Sequence, residues 1–341
     1  MIGIVYALVS AALFGISAPV AKLLLGDVSP WALAGLLYLG SGCGLALVRL
    51  FRKSQETQLS RADLPWFAAA TLAGGVVGPV LLMFGLAQSS AAEASLLLNL
   101  ESVLTLGIAW MVFKENVDWR LMIGAVAIVA GALVLSWPKD AAIGFAWGPL
   151  LIAGACLAWG IDNNLTRKVA ASDPMQIAML KGLVAGSVNA ALAFSLDPVL
   201  PQFGTIAAAG LVGFLGYGVS LTLFVLALRH LGTARTGAYY ALAPFIGAGV
   251  AILFLGESIS LAFVAGGILM AIGLWLHLTE QHVHEHAHEA MEHEHLHVHD
   301  AHHQHVHEPG VGPEPHAHRH QHARLIHRHP HYPDLHHRHE H

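Results

Sequence analysis

Long apolar runs separated by short polar breaks fill residues 1–278 of the chain. Charge is absent from 65–92, 121–138, 198–228 and 236–256, each near the ~20 residues that a helix needs to cross a bilayer. The apolar positions do not alternate with period two, so the runs predict membrane helices rather than barrel strands. Spanning helices are predicted at 3–25, 30–50, 64–88, 92–113, 119–137, 146–167, 174–196, 204–229, 236–255 and 259–278. The connections are short, which makes consecutive helices antiparallel neighbours. The longest, 51–63, carries Arg52, Lys53 and Arg61.

Composition sharpens this picture. The 341 residues are 55% hydrophobic and only 11% charged, against roughly 25% charged in a soluble domain. Cys43 and Cys156 lie inside apolar runs, so no disulfide framework is expected. The first run is full length and contains Lys22, which predicts a spanning helix rather than a cleaved leader. The net charge of −5 says little, because all but His230 and His277 of the 25 histidines lie in the C-terminal tail and titrate near neutrality.

Basic residues in short loops set orientation. With the N-terminus inside, one side collects Arg49, Arg52, Lys53, Arg61, Lys114, Arg120, Arg167, Lys168, Arg229 and Arg235. The other holds Lys139, with Lys22 near the end of the first helix. The expectation is a multi-pass protein of a bacterial-type inner (plasma) membrane with both termini cytoplasmic.

The chain also repeats itself. At an offset of 145, Gly3, Phe14, Gly15, Ile16 and Lys22 align with Gly148, Trp159, Gly160, Ile161 and Arg167. At an offset of 142, Leu86, Ala92, Leu100, Gly107, Glu115, Gly124 and Gly131 align with Leu228, Ala234, Leu242, Gly249, Glu257, Gly266 and Gly273. The glutamate pair carries most weight, since charge at those helix ends is rare. Five helices per repeat is odd, so the halves insert in opposite orientations, a pattern of transporters with a midplane site between repeats.

These segments resemble the drug/metabolite transporter superfamily, as a protein with two EamA-like domains. The resemblance rests on Phe14-Gly15-Ile16-Ser17-Ala18-Pro19-Val20-Ala21-Lys22 and its counterpart Trp159-Gly160-Ile161-Asp162-Asn163-Asn164. It rests also on 92–115 and 234–257, each ending in Phe or Leu, one residue and Glu. Ala243-Pro244-Phe245 matches the family's mid-helix proline, whereas the first copy reads Leu100-Glu101-Ser102. The resemblance covers residues 1–278 and implies an all-α membrane protein of ten helices as two inverted repeats, 1–137 and 146–278; the tail at 280–341 is not part of the family pattern. It implies a secondary carrier of small solutes working by alternating access.

Several polar residues stand out inside the runs. Glu101 lies mid-helix, where a carboxylate costs roughly 2.5 kcal/mol or more unless it faces a cavity or partner, so it is a candidate for substrate binding or proton coupling. Asn99 precedes it and points elsewhere around the helix. Asp162, Asn163 and Asn164 form a polar cluster on the sixth helix, and Lys181 on the seventh wants an acidic partner, with Asp162 at matching depth. Lys22 and Arg167 occupy mirrored places, as attractors of an anion or as interfacial anchors. Pro19, Pro79 and Pro244 interrupt helices. The Gly74-Gly78 and Gly182-Gly186 pairs read as close packing, and Tyr240 as packing or substrate contact.

The tail is different material. His282, His284, His286, His288, His293, His295, His297, His299, His302, His303, His305 and His307 precede a Pro/Gly break at Pro309-Gly310, and further alternating histidines follow it. With no apolar core, it is expected to be disordered. Neutral imidazoles suit zinc, nickel, cobalt or copper, so a divalent transition metal is the tail's expected partner.

Three functions follow. The first is a solute permease with a metal-binding tail; the second is a divalent-metal transporter loaded or regulated by that tail. The third is a non-transporting membrane sensor. The bundle argues against the second, because 1–278 gathers few ligands beyond Glu101 and Asp162. It contains no nucleophile–base pair, metalloprotease motif or nucleotide loop, so an enzyme is not expected. Nor is a required cofactor or a nucleic-acid partner. Lipid and a small-molecule substrate are the expected partners, with a homodimer left open.

Overall fold

The computed structural model describes residues 2–51, 58–113, 117–137, 147–169 and 172–279, and the backbone of 282–288, 291–297, 316–322 and 325–331. Within the helices, the side chains of 167, 228, 229, 231–235 and 238 are outside that description.

The membrane part is all helical. Its helices are α1 (Ile2–Leu24), α2 (Pro30–Phe51), α3 (Arg61–Ala87), α4 (Ala91–Phe113), α5 (Trp119–Leu135), α6 (Trp147–Thr166) and α7 (Pro174–Leu196). Then come α8 (Phe203–Gly213, continuing through Phe214–Val219 into Ser220–Tyr240), α9 (Ala243–Leu255) and α10 (Leu261–Leu278). Among the described residues, 7 helices are long and apolar enough to cross a membrane: α1, α2, α3, α4, α7, α8 and α10. The apolar α5 and α9 are shorter, and α6 is made more polar by Asp162, Asn163 and Asn164.

Local sequence explains the boundaries. Ser90 Oγ accepts from Glu93 N at the start of α4, and Ser260 Oγ accepts from Phe263 N at the start of α10. Asp173, followed by Pro174 at the first helical position, caps α7 through Met175 N and Gln176 N. Gly256 ends α9 in the left-handed region, at φ 68°, where a residue without Cβ is not strained.

The predicted break near 229–236 is not where the regular hydrogen bonding lapses, since the helical run continues to Tyr240. Phe224 and Tyr240 nevertheless have ring centroids 4.7 Å apart. Sixteen positions of straight helix would separate them by about 24 Å, so the chain reverses direction within this run.

Helix pairs form across the two halves: α2 with α7, α5 with α10, α1 with α8 and α9, and α6 with α3 and α4. Glycines let backbones touch. A Cβ on Gly182 would stand 2.7 Å from Gly42 N, and one on Gly131 would stand 2.7 Å from Gly266 O. The packed core lies where α3 turns into α4. Val28, Leu33, Met83, Leu86, Ala91, Leu96 and Leu97 are buried there, whereas Ala109 is the one buried residue of Leu100–Phe113. Among the described residues, this end of the bundle is sealed by the larger buried cluster, and a smaller one, Phe67, Val169 and Ile177, lies towards the other.

Beyond the helices, the backbone forms two antiparallel ladders, His282–His288 with Leu325–His331 and Met291–His297 with His316–His322. Disorder is the expectation from composition there; histidines at every second position also have the period of a strand.

Candidate functional site

The site begins at an interruption in α4. Regular helix stops after Leu97 and resumes at Leu100, freeing carbonyls that need donors. Asn99 is buried, and its Nδ2 donates to Leu96 O at 2.9 Å. The Cys156 thiol of α6 points at Leu97 O and Leu98 O, 3.8 and 4.0 Å away. Glu101 falls in the first turn of the resumed helix, where the positive end of the peptide dipoles suits a carboxylate.

α6 supplies the partners. Asn163 Nδ2 donates to Glu101 Oε1 at 2.9 Å and to Thr105 Oγ1 at 3.3 Å. Asn164, one residue on, turns to different acceptors, Thr105 O at 3.1 Å and Gly160 O at 2.8 Å. The helices come this close because a Cβ on Gly160 would already stand 3.1 Å from Thr105 N. Glu101 lies within electrostatic reach of Asp162, Tyr38 and Tyr240, which belong to three other helices, yet it is only half-buried and Asn163 is exposed. The pair therefore lines a cavity inside the bundle.

Asp162 takes the opposite side of α6. Lys181 Nζ of α7 lies 2.6 and 2.8 Å from its two carboxylate oxygens, and Thr166 Oγ1 donates to Oδ1 at 2.8 Å. The carboxylate fills the space over Gly74, where any side chain would collide with it. Gly74 belongs to a π-helical segment of α3, Thr71–Val77, whose wider turns expose carbonyls. Tyr38 OH and Trp159 Nε1 donate to Gly74 O at 2.8 and 2.9 Å, and Asn189 Nδ2 donates to Gly75 O at 3.1 Å. Side chains from α2, α6 and α7 thus fix the bend in α3.

The facing wall is aromatic. Phe14 of α1 packs on Tyr217 at 5.8 Å and on Tyr240 at 5.7 Å, and Tyr38 packs on Tyr217 at 5.6 Å. Tyr217 sits in a second π-helical segment, Phe214–Val219, and Tyr240 just before the turn into α9.

Of the residues that the sequence singled out, Glu101, Asn163, Asp162, Lys181 and Tyr240 converge here, while Asn99 braces the break. Lys22 does not join them. Its Nζ donates to Leu86 O at 2.6 Å and Ala87 O at 3.2 Å, capping α3 at the sealed end. Glu257 of the repeated glutamate pair accepts from Ala91 N at 2.7 Å and Ala92 N at 2.8 Å, capping α4. Glu115, the Arg167 side chain and the side chains of His282, His284, His286, His288, His293, His295 and His297 lie outside the described residues, as do His299, His302, His303, His305 and His307. Tyr38, Thr105, Thr166 and Tyr217 went unnoticed in sequence, where an aromatic or threonine in an apolar run reads as packing, and Trp159 was noticed as part of a repeated motif and not as a donor. Arg49 is held 3.0 Å from Asp173, a partner 124 positions away to which no local pattern pointed.

The model of the EamA-like transporter family matches residues 1–137 and 146–279. The chain belongs to that family. This EamA-like protein is a membrane transporter of small solutes, not an enzyme. It is similar to an uncharacterized transporter of Methanothermobacter thermautotrophicus, with 27% identity over 282 residues, 77% of this chain and 82% of the relative. It is similar too to a probable amino-acid metabolite efflux pump of Salmonella typhimurium, with 24% identity over 207 residues, 54% of this chain and 66% of that one. A solved protein structure 17% identical superposes with a TM-score of 0.62, covering 81% of this chain and 95% of that chain, which shows the shared fold.

Proposed function

We propose that this EamA-like protein is a secondary carrier of small organic solutes working by alternating access, with Glu101 at the point where solute or coupling proton is held. The observation that carries this is the accessible Glu101–Asn163 pair at the break in α4, beneath an end sealed by buried residues. A carboxyl group in that setting can take up and release a proton or a charged solute during a cycle.

In this reading all ten helices span the membrane, as two inverted repeats with cytoplasmic termini. Support comes from matched irregularities. The π-helical segments start at Thr71 and Phe214, and regular helix lapses after Leu97 and after Tyr240, 143 positions apart in both cases. Contacts also exchange between halves: Gly124 packs on Gly273 and Gly131 on Gly266, although Gly124 aligns with Gly266 and Gly131 with Gly273. Such crossing is what a two-fold relation produces.

An organic solute is favoured over a metal ion as cargo. Among the described residues no group of 3 or more His, Cys, Asp or Glu could hold a metal. The His-rich tail acts as a separate, metal-binding modulator. The test is solute exchange in liposomes containing the full chain, with Glu101→Gln beside it. Exchange in the parent and an altered rate or pH dependence in the variant are expected. An unchanged variant makes Glu101 structural and removes the basis of the reading.

A further inference from the structure

The following inference rests on the transport reading and concerns which solutes the cavity accepts. Asp162 is balanced by Lys181, and Lys22 is held by carbonyls at the sealed end. Among the described residues, the donor to the Glu101 carboxylate is the uncharged amide of Asn163. Among the described residues, it is the charge facing the cavity that has no opposite charge beside it.

Aromatic rings stand near it on other helices. Tyr240 lies between Phe14 at 5.7 Å and Phe224 at 4.7 Å, with Tyr217 beyond Phe14 at 5.8 Å. All four rings are partly accessible, and Tyr240 is within electrostatic reach of Glu101. The faces of such rings carry negative charge and attract a cation within about 6 Å. In a site partly withdrawn from water, an unbalanced carboxylate adds a stronger attraction of the same sign. An anionic solute meets repulsion from both walls. A neutral one gains hydrogen bonds and contact with the rings but not the charge attraction.

We propose that the cavity binds a small organic cation, a solute bearing an ammonium or alkylammonium group, with Glu101 as its counter-ion and the rings around Tyr240 as its cradle.

Three probes of nearly one shape separate the possibilities: choline, its uncharged carbon analogue 3,3-dimethylbutan-1-ol, and the anion 3,3-dimethylbutyrate, with tetramethylammonium as a second cation. Binding is measured by calorimetry on the purified full chain, and flux in liposomes. The cations are expected to bind about tenfold more tightly than the alcohol, and Glu101→Gln to erase that preference. Tyr240→Phe keeps the ring and stays within about twofold of the parent, whereas Tyr240→Leu weakens cation binding about fivefold. Because Gln and Phe preserve shape, a folding defect does not mimic this pattern.

Flux of the alcohol or the anion with exclusion of both cations overturns the inference while leaving the carrier reading intact. Cation binding that depends on Glu101 without flux of any probe upholds the site and counts against the carrier reading. Binding of neither cation, or cation binding unchanged in Glu101→Gln, overturns the inference.

Discussion

Lys181 of α7 reaches both carboxylate oxygens of Asp162 of α6, at 2.6 and 2.8 Å. Neither side chain is exposed beyond 16%. Removing one partner of such a pair leaves a charge with no counter-charge, at a cost of about 3 kcal/mol. Lys181→Met should therefore lower the unfolding midpoint in detergent, and Asp162→Asn added to it should recover most of the loss. A double variant no more stable than Lys181→Met alone would show that the charge balance is unimportant.

The α5–α10 contact offers a test of packing. A Cβ on Gly131 would meet Gly266 O at 2.7 Å and Met270 Cγ at 2.8 Å, whereas Gly249 has nothing within 4 Å. Gly131→Val should destabilise by about 2 kcal/mol; Gly249→Val should change thermal stability little. Equal effects at the two positions would contradict this close approach.

Orientation can be read with a reporter that works only outside the inner membrane, fused after Glu280. It should be silent. Activity there would place the C-terminus outside and remove the basis for inverted five-helix repeats.

Metal binding by the tail should disappear when the chain is truncated after Thr279, as followed by zinc and nickel titration. Imidazole ligates only when neutral, so the affinity of the full chain should fall as pH drops through about 6.5. The sign follows from competition: protons displace the metal at low pH. Equal binding by both forms would exclude the tail as a chelator.

The helices, the family resemblance and the odd polar residues were legible in the sequence because each is a local fact. A run of apolar residues must be helical to satisfy its own backbone in lipid, and a carboxylate such as Glu101 in that run is conspicuous without knowing its neighbours. Depth alone even nominated Asp162 as partner for Lys181, nineteen positions away. The repeated glutamates were visible too, but not what Glu257 does, because the amides that donate to it, Ala91 N and Ala92 N, lie 166 and 165 positions earlier.

Tertiary structure decided the rest. The π-helical bend of α3 exists where Tyr38, Trp159 and Asn189, from three other helices, supply donors to Gly74 and Gly75. Glu101 meets Asn163 across 62 positions, and Phe14, Tyr217 and Tyr240 become one wall only when α1 packs on α8. Periodicity in an all-apolar helix does not distinguish a ring facing lipid from one facing a cavity, since both environments favour the same residue. Only the placement of the surrounding helices separates them.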